Sequence, residues 1–230
     1  MDKRLHKPIA ALALSSLAGC ALLASRAVLL GSLRHGFLVW NLFLAWLPLL
    51  FALMLEFRQR RESSRSWITP TLAVAWLVFF PNSSYILTDL VHLAPRSVPH
   101  FWPDLVLVLI FGLTGLILGF LSLYLMQRLV ARRLGWIIGW LFVCSAAILN
   151  GFGVYAGRFM RWNSWDVLLN PMSLALQGLE WVVHMPRHPR LLVFPLLFSI
   201  LMFLAYVMLY ALTQLAQTES ALRESTAMDG

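Results

Sequence analysis

The sequence has few charged residues and few cysteines, and this scarcity narrows the class of protein. Only 12% of its 230 residues are charged, whereas 60% are hydrophobic. Soluble domains contain about a quarter charged residues and about half apolar ones. Water would not solvate so apolar a surface, so we predict a membrane protein. Cys20 and Cys144 both lie in apolar runs, and neither indicates a metal site or an extracellular disulfide.

Motifs for nucleotides, haem and iron–sulfur clusters are also missing, as are internal repeats. No polar segment is long enough for a separate soluble domain, so residues 1–230 are predicted to form one integral membrane domain. The net charge of +8 comes from basic residues in short loops between apolar runs. That pattern is typical of cytoplasmic anchors, and it does not favour nucleic-acid binding. No cofactor is predicted.

Six apolar runs could each cross a bilayer, because about 20 helical residues span its hydrocarbon core. They are approximately Ile9–Leu30, Phe37–Leu55, Trp67–Phe80 with its continuation, Leu105–Met126, Gly135–Tyr155 and Leu191–Ala216. We therefore predict an all-α fold, a polytopic transmembrane helical bundle of about six spans. A short interfacial helix is expected in the last outer loop, where Met172–Met185 carries an apolar stripe.

The distribution of basic residues predicts the orientation. Most lysines and arginines fall on the side that holds the amino terminus, the second and fourth loops and the tail. Such loops remain in the cytoplasm, so both termini are predicted to be cytoplasmic. An alternative is that Leu17-Ala18-Gly19-Cys20 ends a lipoprotein signal with Cys20 as its lipidated residue. Against this, the apolar run continues to Leu30, further than a signal segment extends.

A polar stretch beginning at Pro81 interrupts the third apolar run. Trp67–Phe80 would rise about 21 Å as a helix, which is less than the bilayer core, so the span must continue past Pro81. Because proline lacks a backbone N–H, we predict a kink or break there, with Asn82 capping the outer half-helix. Asp89 and His92, three residues apart, would then share a face near the outer surface.

A second polar stretch lies in the outer part of the fifth run. Asn150 is about 22 Å from the inner end of that run, so it is predicted at the depth of Asn82 and as its partner. Arg158 and Arg161 would emerge at the outer interface, level with Asp89.

Glycines share the helix face of the second polar stretch. Gly153 and Gly157 would lie in line with Asn150 and Arg161, and such small residues let a neighbouring helix approach closely. The candidate neighbour is the fourth run, whose own glycines also share a face: Gly112, Gly115 and Gly119.

Together, the two polar stretches resemble a known family. The first contains Pro81-Asn82-x-x-Tyr85 and Thr88-Asp89-x-x-His92, and the second contains Gly157-Arg158-Phe159-x-Arg161-Trp162-Asn163-Ser164-Trp165-Asp166. The sequence is similar, over most of its length from the second span onward, to bacterial membrane proteins grouped as domain of unknown function 1361. The resemblance implies a multi-pass protein of the bacterial cytoplasmic (inner) membrane, and it implies no activity.

Ionisable residues at membrane depth are functional candidates, because burying charge is costly. We predict a pocket at the outer interface that binds an anionic group such as a lipid phosphate, which arginine binds in a bidentate manner. Asp89 and His92 would be the catalytic acid or base. The predicted substrate-binding residues are Asn82, Tyr85, Thr88, Asn150, Tyr155, Arg158, Arg161, Trp162, Asn163 and Asp166.

The same charges also have a structural interpretation, which is narrowly favoured over a ligand site. Arg158 and Arg161 could pair with Asp89 and Asp166 and thereby hold the spans together. Asn163 and Asp166 also fit the N-cap and the first-turn acid of a short helix.

Other polar residues have weaker patterns. Asn41 could join the outer cluster or bond to a neighbouring helix, and the second is favoured. Asp89, His92 and Asp104 are spaced only loosely like metal ligands, and no metal is predicted. Glu56, followed by arginines, is expected to form a solvated cytoplasmic edge.

Three classes of function remain. The working hypothesis is a membrane enzyme or lipid-binding protein with an outer-leaflet site, because both polar stretches fall on one side. A small-solute transporter is suggested by the broken third helix and the paired asparagines. Against it, no inverted repeat is visible, and the inner half is expected to hold almost no buried polar residues. The third class is a structural or assembly protein without a catalytic site.

Overall fold

The computed structural model describes residues 3–60, 67–93, 101–162, 166–170, 172–173, 176–178, 180 and 189–228, and over these residues the chain is helical without strands. The helices are α1 (Lys3–Leu30), α2 (Phe37–Arg60), α3 (Ile68–Tyr85), α4 (Phe101–Leu134), α5 (Trp136–Phe159), α6 (Asp166–Leu169) and α7 (Val193–Met228). Two segments are 3₁₀-helical: Ile86–Leu93, which continues α3, and Pro189–Leu192, which precedes α7.

Six of these helices are long and apolar enough to cross a membrane. The shortest apolar stretch among them has 22 residues, and the longest has 34. Large apolar side chains remain exposed around the bundle, for example Val28 at 83% and Leu141 at 61%. Lipid is the solvent that accommodates such a surface. The prediction of an all-α, multi-pass membrane protein with six spans is therefore confirmed.

Helix α4 is the centre of the bundle. It contacts α1, α2, α3, α5 and the 3₁₀ segment, while α7 packs against α5. Its buried residues run from Asp104 near one end to Leu129 near the other. Following the predicted orientation, we call the end of the bundle that holds Arg158 the outer end and the end that holds Arg58 the inner end.

Helix α3 lies between the glycines of α4 and those of α5. A Cβ atom added to Gly115 would lie 2.6 Å from the carbonyl oxygen of Ser83, and one added to Gly119 would overlap the Ser83 side chain. From the α5 side, a Cβ at Gly153 would overlap the Pro81 ring. The predicted contact between the two glycine faces is therefore wrong, because both faces receive α3.

The predicted cap by Asn82 is also wrong, as is a break at Pro81, while the alternative of a kink there stays a prediction. Helix α3 remains α-helical through Pro81 and changes to 3₁₀ only after Tyr85. Asn82 lies inside the helix, where its Nδ2 donates to the carbonyl oxygen of Phe79 at 3.0 Å. Membrane helices tolerate proline when nearby polar side chains satisfy the backbone groups around it.

The inner half holds more buried polar side chains than the sequence suggested. Glu56 is only 6% exposed, so the expectation of a solvated edge at this residue is wrong. Gln127 is 4% exposed and accepts a 2.5 Å hydrogen bond from the hydroxyl of Tyr206. The Trp76 indole donates to Ser122 Oγ at 3.3 Å. An apolar inner half was one reason to disfavour a transporter, and these buried polar residues remove that reason.

Candidate functional site

The 3₁₀ segment that carries Asp89 is preceded by a run of polar side chains that bond to their own helix. Four of them donate to the carbonyl oxygen three residues earlier: Asn82 to Phe79 (3.0 Å), Ser83 to Phe80 (2.7 Å), Ser84 to Pro81 (3.2 Å) and Thr88 to Tyr85 (2.6 Å). Such bonds satisfy carbonyl groups where the regular α-helical pattern ends. In a 3₁₀ helix residues three apart eclipse, so Ile86 and Asp89 both point into the bundle, where both are buried.

Asp89 is the centre of a buried polar cluster at the outer end. It is 1% exposed, and its Oδ1 lies 2.6 Å from Nη2 of Arg158 on α5. Its Oδ2 accepts a 3.0 Å hydrogen bond from Nδ2 of Asn41 on α2. Asn41 therefore joins the cluster, contrary to the favoured prediction. The two carboxylate oxygens connect three parts of the fold.

The guanidinium of Arg158 is held on several sides. Its Nε and Nη2 donate to Thr88 Oγ1 at 3.0 and 2.7 Å. Its Cζ lies 4.7 Å from the centre of the Tyr85 ring, within the range of a cation–π contact. The Arg158 side chain nevertheless keeps 16% of its surface exposed, against 2% for Asp89. The cluster thus fixes the guanidinium while leaving part of it accessible.

Asn150 pairs with Ser84 rather than with Asn82. Its Nδ2 lies 3.0 Å from Ser84 Oγ, and its Oδ1 lies 3.1 Å from the same hydroxyl. Asn150 is 1% exposed and Ser84 is fully buried, so this contact joins α5 to α3 away from lipid. The predicted pairing of Asn150 with Asn82 is wrong, because the partner is Ser84, two residues further along α3. The prediction that Asn150 meets this part of α3 is right.

Arg158 and Arg161 have different surroundings because α5 ends between them. The helix ends at Phe159, and Arg161 has a φ of 60°, in the left-handed region. Arg161 therefore leaves the helical face on which it was predicted. It is exposed, and among the described residues it forms no ion pair. The pairing of Arg158 with Asp89 is present, whereas the suggested pairing of Arg161 with Asp166 is not.

The remaining candidate residues lie at different distances from this cluster. Tyr155 packs its ring against Phe159 and against Phe194 of α7, on another side of α5. Trp162 donates from its indole to Gln177 at 2.8 Å. Asp166 begins α6, as predicted for a first-turn acid.

Some predictions concern positions outside the described residues. Asn163 is one of them, and of His92 only the backbone, in the 3₁₀ segment, is described. The predicted interfacial helix, Met172–Met185, is helical at residues 172–173, 176–178 and 180, and its other positions are not described.

A second ion pair at the outer end was missed by sequence reasoning. Asp104, in the first turn of α4, binds Arg26 of α1 in a bidentate manner, at 2.5 Å for Nε to Oδ1 and 2.9 Å for Nη2 to Oδ2. Asp104 thus has a partner of its own and does not bond to Arg158. Each residue interrupts an apolar run near its outer end, and that shared depth was the signal available in the sequence. Among the described residues, no group of three or more His, Cys, Asp and Glu is arranged to hold a metal ion.

The chemistry of this outer cluster is that of an oriented cation. Both oxygens of Asp89 accept hydrogen bonds, so its carboxylate positions Arg158. A guanidinium held in one orientation by a carboxylate, and partly exposed, can direct its positive charge toward a second anion.

Comparison with known proteins gives a family and no activity. A family described as "Protein of unknown function (DUF1361)" matches residues 40–221. No curated protein matches the chain, and no solved structure does. The matched range contains both polar stretches, most of α2, all of α3, α4 and α5, and α7 up to residue 221.

Proposed function

We propose that this chain, which belongs to the DUF1361 family, binds an anionic lipid headgroup at the extracytoplasmic surface of a bacterial cytoplasmic membrane. Both termini would then lie in the cytoplasm. The observation that carries the proposal is the partly exposed Arg158 guanidinium, held in one orientation by Asp89, Thr88 and Tyr85. Arginine in a fixed orientation suits the planar, bidentate recognition of phosphate.

Arg161 supplies a second positive charge for the headgroup. It is exposed, and its left-handed backbone directs the chain away from the α5 axis just beyond Arg158. This conformation is the usual one just after a helix C-terminus, where the Trp162 N–H bonds to the Ala156 carbonyl oxygen at 3.2 Å. One partly exposed and one exposed guanidinium would together bind phosphate more strongly than either alone. Any chemical step on the headgroup would fall to Asp89 and His92.

A structural role is the second candidate, and the burial of Asp89 favours it. Both of its oxygens are bonded, and α2, the extension of α3 and α5 meet there. A closed pair of this kind can hold helices together without any ligand. In this case the protein would act as an assembly or accessory factor.

The experiment counts the phosphatidylglycerol molecules that remain bound to the purified protein by native mass spectrometry. Arg161→Gln removes an exposed charge and should weaken headgroup binding about tenfold, the effect of losing one charge-assisted hydrogen bond. Arg34→Gln is the matched control, since it removes the same charge from the exposed loop at the same end. Equal loss in both variants would indicate diffuse surface charge and contradict the proposal.

A double variant separates the two candidate functions. Asp89→Asn combined with Arg158→Gln removes both charges, so no unpaired charge stays buried. If Arg158 binds the headgroup, the double variant folds but loses the bound lipid. In either case each single variant should lower the melting temperature and the double variant should recover part of the loss. If the pair is only structural, lipid binding persists in the double variant.

A further inference from the structure

A cavity opens at the inner end, where α2 and α4 end and α3 begins. Its volume is about 250 Å³. Its walls come from all three helices and are mostly apolar: Leu55, Ala73, Met126, Leu129, Val130 and Leu134. Its polar residues are Arg58, Gln59, Thr69 and Arg133. The cavity is therefore amphipathic, with an apolar wall next to two guanidinium groups.

Arg58 lines this cavity, and it also has an unsatisfied donor. Its Nε is buried and has no hydrogen-bond partner among the described residues. A buried charged donor without an acceptor costs free energy, so native structures rarely keep one unless a ligand or water completes it. Arg133, in the last turn of α4, lies across the same cavity and is exposed. An anion in the cavity would interact with both charges.

The first turn of α3 adds to the positive potential. Trp67 occupies its N-cap position and makes no side-chain capping bond, and Thr69 lines the cavity. The N-terminus of a helix carries a partial positive charge and unpaired N–H groups. The two arginines and the first turn of α3 thus give this cavity a positive potential, while the rest of its lining is mostly apolar.

We propose that this cavity binds the phosphate of an anionic bilayer phospholipid in the inner leaflet, with the upper part of an acyl chain against Met126, Leu129 and Val130. Arg58 and Arg133 hold the phosphate. Basic pockets between transmembrane helices on the cytoplasmic side bind lipid headgroups by the same chemistry. The apolar wall favours a phospholipid over a free phosphate ion, because a small ion leaves that wall in contact with water.

The site is separate from the proposed outer headgroup site. The two lie at opposite ends of the bundle and share no residue. Wild-type protein is therefore expected to retain two classes of phosphatidylglycerol, one lost on changing Arg161 and the other lost on changing Arg58.

The test compares Arg58→Gln with Arg132→Gln by native mass spectrometry of protein reconstituted with phosphatidylglycerol or phosphatidylcholine. Arg132 neighbours Arg133 in the last turn of α4 but does not line the cavity, so it controls for charge at that end. Arg58→Gln should weaken retention of one phosphatidylglycerol about tenfold, whereas Arg132→Gln should change it less than about twofold. Phosphatidylcholine should be retained less than phosphatidylglycerol in the wild type.

Three results would overturn the assignment. Equal losses in the two variants would mean attraction by general surface charge. Equal retention of the two lipids would remove the requirement for an anionic headgroup. Displacement of the lipid by millimolar inorganic phosphate would show that the acyl chain contributes nothing. Because Arg58→Gln could alter the fold, Leu129→Trp, which fills the cavity while keeping both arginines, should also exclude the lipid.

Discussion

Arg158 at the outer end and Arg58 at the inner end have different surroundings. At the outer end Arg158 has partners on the 3₁₀ segment, and its carboxylate partner is bonded in turn to α2. At the inner end Arg58 keeps a buried Nε without an acceptor among the described residues, beside an open cavity. The comparison teaches that protein partners orient Arg158 before any anion binds, whereas Arg58 depends less on protein partners for its position.

The strongest way to break this comparison is Asp89→Ala. The change leaves the Arg158 charge buried without its carboxylate, which should destabilise the fold by about 3–5 kcal/mol. Arg58→Gln at the inner end should cost much less, because Arg58 Nε has no hydrogen-bond partner to lose among the described residues. Melting temperatures in one detergent compare the two variants. A drop for Arg58→Gln as large as that for Asp89→Ala would contradict the distinction.

The next largest effect concerns the approach of α3 to α4. A Cβ at Gly115 would lie 2.6 Å from the Ser83 carbonyl oxygen, which is backbone and cannot easily move. Gly115→Ala should therefore cost about 1–3 kcal/mol through overpacking. Gly112→Ala is the matched control, since its nearest neighbour is Leu87 Cα at 3.7 Å, an ordinary contact. Equal melting temperatures for the two variants would show that α3 can shift away from α4.

At the inner end the sharpest test of polar packing is Tyr206→Phe. It removes the hydroxyl that donates to buried Gln127, leaving that amide oxygen unsatisfied at a cost of about 1–2 kcal/mol. Tyr210→Phe removes a hydroxyl from the same aromatic cluster and serves as the control. The ratio of folded to unfolded protein in detergent measures the difference, and a greater loss for Tyr210→Phe would refute the assignment.

The smallest expected effect is that of Ser84→Ala. Hydrogen bonds between membrane helices contribute about 0.6 kcal/mol on average, so losing the contact with Asn150 should lower stability only slightly. Ser25→Ala, at an exposed serine bonded within α1, should leave the melting temperature unchanged. If Ser84→Ala proved as harmful as Asp89→Ala, the ion pair would not be the dominant contact at the outer end.

Hydrophobic patterning was sufficient to predict the six spans. Lipid requires each span to satisfy its own backbone and to present an apolar surface, so length and composition carry the signal directly. The same reasoning identified Asp89 and Arg158 as residues that need a partner or a ligand at membrane depth. Their mutual distance of 2.6 Å confirms that the two polar stretches meet.

Local rules failed where tertiary contacts replaced them. Proline was expected to kink or break α3, but the helix continues through Pro81, where α4 and α5 enclose it. The glycine faces were assigned to each other because a sequence gives no order of helices around a bundle.

Partners of single polar residues were equally hard to predict. The surroundings of Asn41, Arg26 and Glu56 depend on how each helix is rotated about its own axis. Hydropathy does not specify that rotation. All three lie in spans that are apolar nearly all round, so the sequence contains no polar face that would fix the rotation.

The close packing of α3 against the glycines of α4 and α5 also restricts the rotation of this helix. Rotation of α3 about its axis would press Ser83 or Pro81 into the backbone of a neighbouring helix. The helix therefore keeps a fixed angular position, with Asp89 at one extremity and Thr69 at the other. Any event that rotates α3 at one side of the bilayer must therefore displace both Asp89 and Thr69. In this way a single helix mechanically couples the two sides of the membrane.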